Sequence, residues 1–169
     1  MGKWGVKKWT LVLLLTGMHL DLQAAVEPQL DAEAVCAGPL RSFQAKLNGK
    51  LNVERQAAPL KLQMLQLLDD CQNVVEQQIG RLSVDFQQLP DDSQCQQGLS
   101  ELEPFVPLFT DMRQQINAQA LNSHALRRDA LEYFRVIAPG VLRAVNGVFL
   151  HRYAVCEPEA EQRQHSILR

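Results

Sequence analysis

The residues best equipped for chemistry in this chain are four cysteines, Cys36, Cys71, Cys95 and Cys156. Thiolates can bind metal, attack carbonyls or exchange disulfides, and an even number of thiols can simply pair. No two of them stand at the C-x-x-C spacing of a local zinc site. The N-terminus decides among the remaining uses. "MGKWGVKK" is basic, "WTLVLLLTGMHL" is an apolar core of about a dozen residues, and "LQA" precedes Ala25 as a small-residue cleavage site. Residues 1–24 therefore read as a cleaved export signal, too short for the ~20 apolar residues of a membrane anchor. Export to an oxidising compartment makes all four cysteines disulfide partners.

The histidines are the next candidates. His19 leaves with the signal and His165 lies near the polar end, which leaves His124 and His151. A methionine–histidine pair inside a helical bundle can ligate haem b, and Met64 and Met112 are expected at the same end of a bundle as His124. The heights disagree by about 10 Å at helical rise, so no haem, metal or other cofactor is expected. C-x-x-C-H is absent. The doublets Asp69–Asp70 and Asp91–Asp92 lack the alternating acidic pattern around glycine of a calcium loop. Neither G-x-S-x-G, nor a Walker loop, nor H-E-x-x-H occurs. The expectation is a protein that is not an enzyme.

Charge and aromatics narrow the partners. Losing Lys3, Lys7, Lys8 and Asp21 with the signal takes the formal net charge from −2 to about −4. A nucleic-acid partner would want a basic stripe. Trp4 and Trp9 also leave, so few aromatics remain for stacking platforms. No second apolar run is long enough to insert stably in a membrane.

The elements that must position these residues are helical. Met64, Leu68, Cys71, Val75, Ile79, Leu82, Phe86 and Leu89 recur in steps of three and four between Lys61 and Pro90. Ser93 with Gln96 offers a capping box for a third helix, interrupted by Pro104 and Pro107. Asn122–Ser123 offers a cap for a fourth, whose apolar face runs from Leu126 through Phe149 to Cys156, with a kink expected at Pro139–Gly140. Asp31 could cap a first helix carrying Cys36, Leu40, Phe43 and Leu47, with Gly38–Pro39 expected to divide it.

Loops of about ten, four and four residues make neighbouring helices antiparallel, an up-down-up-down four-helix bundle. In an antiparallel hairpin, residues equidistant from the turn lie at one height. Cys36 and Cys71 centre on the first turn, and Cys95 and Cys156 centre near residue 125 in the third. Cys71 and Cys95 would lie about 25 Å apart at helical rise, far beyond the ~7 Å limit for a bridge. The expected bridges are Cys36–Cys71 and Cys95–Cys156. The expected organisation is a signal over 1–24, an all-α bundle stapled by two disulfides over 25–157, and a flexible polar tail over 158–169.

Function is then expected to lie in binding. The fourth helix carries Arg128, Glu132 and Arg135 on one flank, and its apolar band is wide. Tyr133, Phe134, Val148 and Phe149 around the Pro139–Gly140 kink are the expected partner-binding surface. The reading is an exported bundle, periplasmic or secreted, that binds another protein or a second copy, such as an adaptor, an inhibitor or immunity protein, or a secretion accessory. The competing reading is a secreted cytokine-like four-helix ligand, and a more distant one a haem b or metal carrier. Cytokine bundles need two long crossovers. Ten residues reach about 35 Å, against about 45 Å for the second helix.

Overall fold

A computed structural model of the chain describes residues 32–167, so the expected signal and Asp31 lie outside the described residues. Among the described residues there are helices and no strands. A π-helical turn, Glu33–Ala37, leads directly into α1 (Gly38–Asn48). Then come α2 (Val53–Asp85), α3 (Gln94–Leu102), α4 (Phe105–Ala118) and α5 (His124–His151). A second π-helical turn, Arg152–Cys156, joins α5 to α6 (Glu157–Ile167). The four arms of the bundle are α1 with its π turn, α2, the α3–α4 pair, and α5 with α6.

Short connections set the topology. Only residues 49–52 join α1 to α2, fewer than expected, because α2 begins at Val53 and not at Lys61. Asn52 sets that start: its side chain accepts the Arg55 N–H at 3.2 Å, while the Gln56 side chain accepts the Asn52 N–H at 2.6 Å. With the cap in place the helix continues through Pro59, which stands on the exposed face and forfeits one bond, that to the Arg55 carbonyl. Ala57 and Leu60 thereby extend the buried stripe of Met64, Leu68, Cys71, Val75 and Leu82. Residues 49–52 cannot cross the length of α2, which rules out the up-up-down-down connection of a cytokine bundle.

The remaining caps follow the expected residues with one change. Ser93 accepts the Gln96 N–H at 3.2 Å, but the Gln96 side chain donates to the Phe86 carbonyl and so ties α3 to the end of α2. Ser123 accepts the Leu126 N–H and opens α5. That helix runs without interruption through Pro139.

The bundle is a rhomb: α2 and α5 share the longest contact, α1 lies against α5, and α4 lies against α2. Ala130, Ala138 and Ala144 are among the buried residues of α5. Phe43, Phe109, Phe134, Leu40, Leu47, Met64 and Leu68 fill the interior.

Both expected bridges are present, Cys36–Cys71 and Cys95–Cys156, with Cα separations of 4.9 Å and 4.7 Å. Cys36 and Cys156 each sit in a π turn, and each turn precedes a proline, Pro39 or Pro158. A helical proline collides with the carbonyl four residues back, and a wider preceding turn moves that carbonyl aside. The Gly38 N–H accordingly bonds the Glu33 carbonyl, and the Glu157 N–H bonds that of Arg152. Pro59 and Pro139 stand in ordinary α-helix, so the bridge cysteine is the second feature the two π turns share. The Gly38–Pro39 pair therefore widens the first arm without dividing it.

The stretch expected to trail as a flexible polar tail is helical through Ile167. The Glu159 carboxylate accepts the N–H groups of Gln94 and Cys95, at 3.2 Å and 2.9 Å, and so caps α3 from α6. Arg163 donates to the Gln88 carbonyl at 2.8 Å. A carboxylate at a helix N-terminus meets unpaired N–H groups and the positive end of the dipole, which holds α6 down without an apolar stripe.

Candidate binding surface on helix α5

Helix α5 has two faces of different character. Phe134 and Val148, expected on the partner-binding surface, are buried at 0% and 1% exposure among the core residues. Tyr133 and Phe149 are half-buried and packed against that core, and the Tyr133 hydroxyl donates to Gln115 Oε1. These four therefore do not form an open apolar groove. The helical turn explains the correction. Fourteen residues separate Phe134 from Val148, close to four whole turns of 3.6, so both point the same way, into the bundle.

The opposite face begins at Val136, about 200° around the helix from Phe134 at 3.6 residues per turn. Val136 is 74% exposed and Leu150 is 70% exposed. Between them, at steps of four, three, four and three, lie Gly140, Arg143 and Gly147. A Cβ built on either glycine meets nothing within 4 Å. This strip has the spacing of a helix-packing seam, and no other element among the described residues covers it. The seam escapes a reading of hydrophobic periodicity because glycine and arginine interrupt it.

Beside the strip, a groove of about 410 Å³ runs between the end of α1 (Gln44, Leu47, Asn48) and α5 (Arg135, Pro139, Leu142, Arg143, Asn146). Leu47, Pro139 and Leu142 make it partly apolar. Arg135 is committed within the fold: its guanidinium donates to the Leu47 carbonyl, with Nε at 2.8 Å, and pairs with Glu132. That bond satisfies a carbonyl at the C-terminus of α1. Arg143 is exposed and makes no ion pair among the described residues. The groove is lined by amides, guanidinium groups and aliphatic side chains.

The methionine and histidine weighed for haem lie in different surroundings. Met64 is wholly buried, whereas His124 is exposed in the first turn of α5. Arg152, at the far end of the bundle, reaches Asp85 at 2.7 Å and Glu157 at 3.2 Å and lies over the Phe86 ring. Burial works against its charge, but the hydrogen bonds and charges of Asp85 and then Glu157 outweigh it and raise its pKa. One constellation that spacing along the chain conceals is assembled by the fold. His151 Nε2 lies 2.9 Å from the Cys95 carbonyl oxygen, and donor atoms of Cys95, His151 and Cys156 lie within 4.8 Å of one another.

The fold and its bridges define a class, the all-α, disulfide-stapled four-helix bundle, and two bridges fit an oxidising compartment. No protein-family model, curated protein or solved structure matches the chain to narrow that class further.

Proposed function

We propose that the protein is an exported, non-enzymatic bundle, periplasmic or secreted, that acts by binding a protein partner through the outer face of α5. The observation that carries the proposal is the strip of Val136, Gly140, Arg143, Gly147 and Leu150, where two aliphatic side chains flank open glycines and an unpaired cation. The strip runs about 21 Å along α5 at 1.5 Å rise per residue, long enough to seat a partner helix. Glycines let a partner helix approach closely, and Arg143 asks for a carboxylate opposite it. The partner is therefore an amphipathic helix bearing an acidic residue between small or aliphatic ones. A second copy suits the strip less well, because a two-fold antiparallel pairing about its centre places Arg143 against Arg143 of the other copy. The signal-like N-terminus and the complete pairing of the cysteines support export. A role as adaptor, inhibitor or secretion accessory follows from binding without catalysis.

The test places a photo-crosslinking amino acid at position 147 of the full-length protein in its native host. Leu62, 70% exposed on α2, serves as the control position. The expected result is one crosslinked partner from position 147, none from 62, and loss of the crosslink in an Arg143→Glu background whose thermal stability is unchanged. Crosslinking from both positions alike, only a self-dimer, or indifference to Arg143→Glu would refute the proposal. N-terminal sequencing of the exported form checks the expected start at Ala25.

A further inference from the structure

We propose that, when the Cys95–Cys156 bridge is reduced, its two thiols and His151 form a Cys₂His site for a zinc ion. The three residues come from two distant parts of the chain, and the fold brings their donor atoms within 4.8 Å of one another. Cys95 and Cys156 are fully buried and His151 is half-buried, so the ligands are already gathered and largely dry. Among the described residues no other His, Cys, Asp and Glu group of this kind occurs, and the Cys36–Cys71 bridge belongs to none.

His151 would ligate through one particular nitrogen. A carbonyl oxygen can only accept, so the 2.9 Å contact with the Cys95 carbonyl requires the proton on Nε2. The lone pair then resides on Nδ1, the atom left to bind metal. Ligating histidines are commonly oriented by such a bond from the other ring nitrogen to a carbonyl. The edge of the ring that carries both nitrogens faces Gly98, where a Cβ would stand 2.2 Å from His151 Cε1. A glycine at position 98 is what gives α3 room for an imidazole beside its cysteine. The Glu159 carboxylate, bonded to the Cys95 N–H at 2.9 Å, anchors α6 next to the same cysteine.

A dithiol reductant passes two electrons and two protons to the bridge, which opens to two thiols while the reductant leaves as its own disulfide. Zinc then replaces the two thiol protons, takes Nδ1 as its third ligand, and keeps a water in the fourth position, a composition known for zinc. The metal and the bridge are thus alternative staples between α3 and the α5–α6 arm. A reduced chain would carry zinc where the oxidised chain carries a covalent bond.

The full mature chain is reduced with a dithiol, desalted under argon and titrated with Co²⁺, whose tetrahedral thiolate complexes absorb in the visible and near ultraviolet. The expected result is such a spectrum, bleached by Zn²⁺, abolished in Cys95→Ser, and weakened about tenfold or more in affinity by His151→Gln. If reduction itself lowers the helical circular dichroism, Zn²⁺ should restore it, because metal binding free energy is then folding free energy. An unchanged spectrum in His151→Gln or in Cys95→Ser overturns the proposal. So does the absence of any spectrum in a helical reduced chain, or no recovery of helicity with Zn²⁺ in an unfolded one.

Discussion

Replacing Phe134 by alanine separates the two faces of α5 most directly. Phe134 is fully buried in the core. Removing about 150 Å² of ring surface from the interior at ~25 cal/mol per Å² forfeits about 4 kcal/mol. Mutational series on buried phenylalanines put the loss, cavity included, at about 3–5 kcal/mol. Val136, two residues on, is 74% exposed, and Val136→Ala should change stability by no more than about 0.5 kcal/mol. The assay is urea denaturation followed by far-ultraviolet circular dichroism, with both bridges intact. With a urea slope of about 2 kcal/mol per molar, the Phe134→Ala midpoint should fall by about 2 M and the slope should stay constant. Partner crosslinking should respond in the opposite order, lost with Val136→Asp and retained in whatever fraction of Phe134→Ala remains folded. A loss below about 1 kcal/mol for Phe134→Ala would refute the assignment of this face to the core, since a fully buried phenylalanine costs more.

Two further outcomes test the staples and a titrating group. Paired Cys→Ser replacement of either bridge, closing sequence separations of 35 and 61 residues, should cost about 4 kcal/mol each by loop entropy, read as lowered thermal midpoints. Non-reducing peptide mapping that joined Cys71 to Cys95 would overturn both the pairing and the topology. Burial raises the Tyr133 pKa above its ordinary 10.0, so the folded bundle holds that proton longer than the unfolded chain. Its contribution is complete below the unfolded value and is lost as pH rises through the folded one. The alkaline fall in stability should therefore diminish in Tyr133→Phe, and an identical pH profile would show that Tyr133 is not its source.

What the chain declares by itself is what depends on one dimension. Helical periodicity around Cys71 and around Val141 names the faces that turn inward, because 3.6 residues per turn is a property of the backbone alone. Short turns force antiparallel neighbours, and height in an antiparallel pair is distance from the turn. The pairing of Cys36 with Cys71 and of Cys95 with Cys156 was legible for that reason. The start of α2, expected near Lys61, lies earlier at Val53, because the reciprocal bonds of Asn52 and Gln56 cap the helix there and it continues through Pro59. They also left the stretch after Cys156 as a tail, since Glu159 acts on the N-terminus of α3, an element remote in sequence. The partner-binding expectation at Tyr133, Phe134, Val148 and Phe149 fell on residues that pack into the bundle. Large apolar residues mark where a helix is buried, and only packing against α1, α2 and α4 determines which face is left over. That remaining face is read from glycines and an arginine, which carry no hydrophobic signal. The meeting of His151 with Cys95 and Cys156 belongs wholly to the tertiary structure, because a ring nitrogen and two sulfurs become neighbours only once α3 and the α5–α6 arm lie side by side.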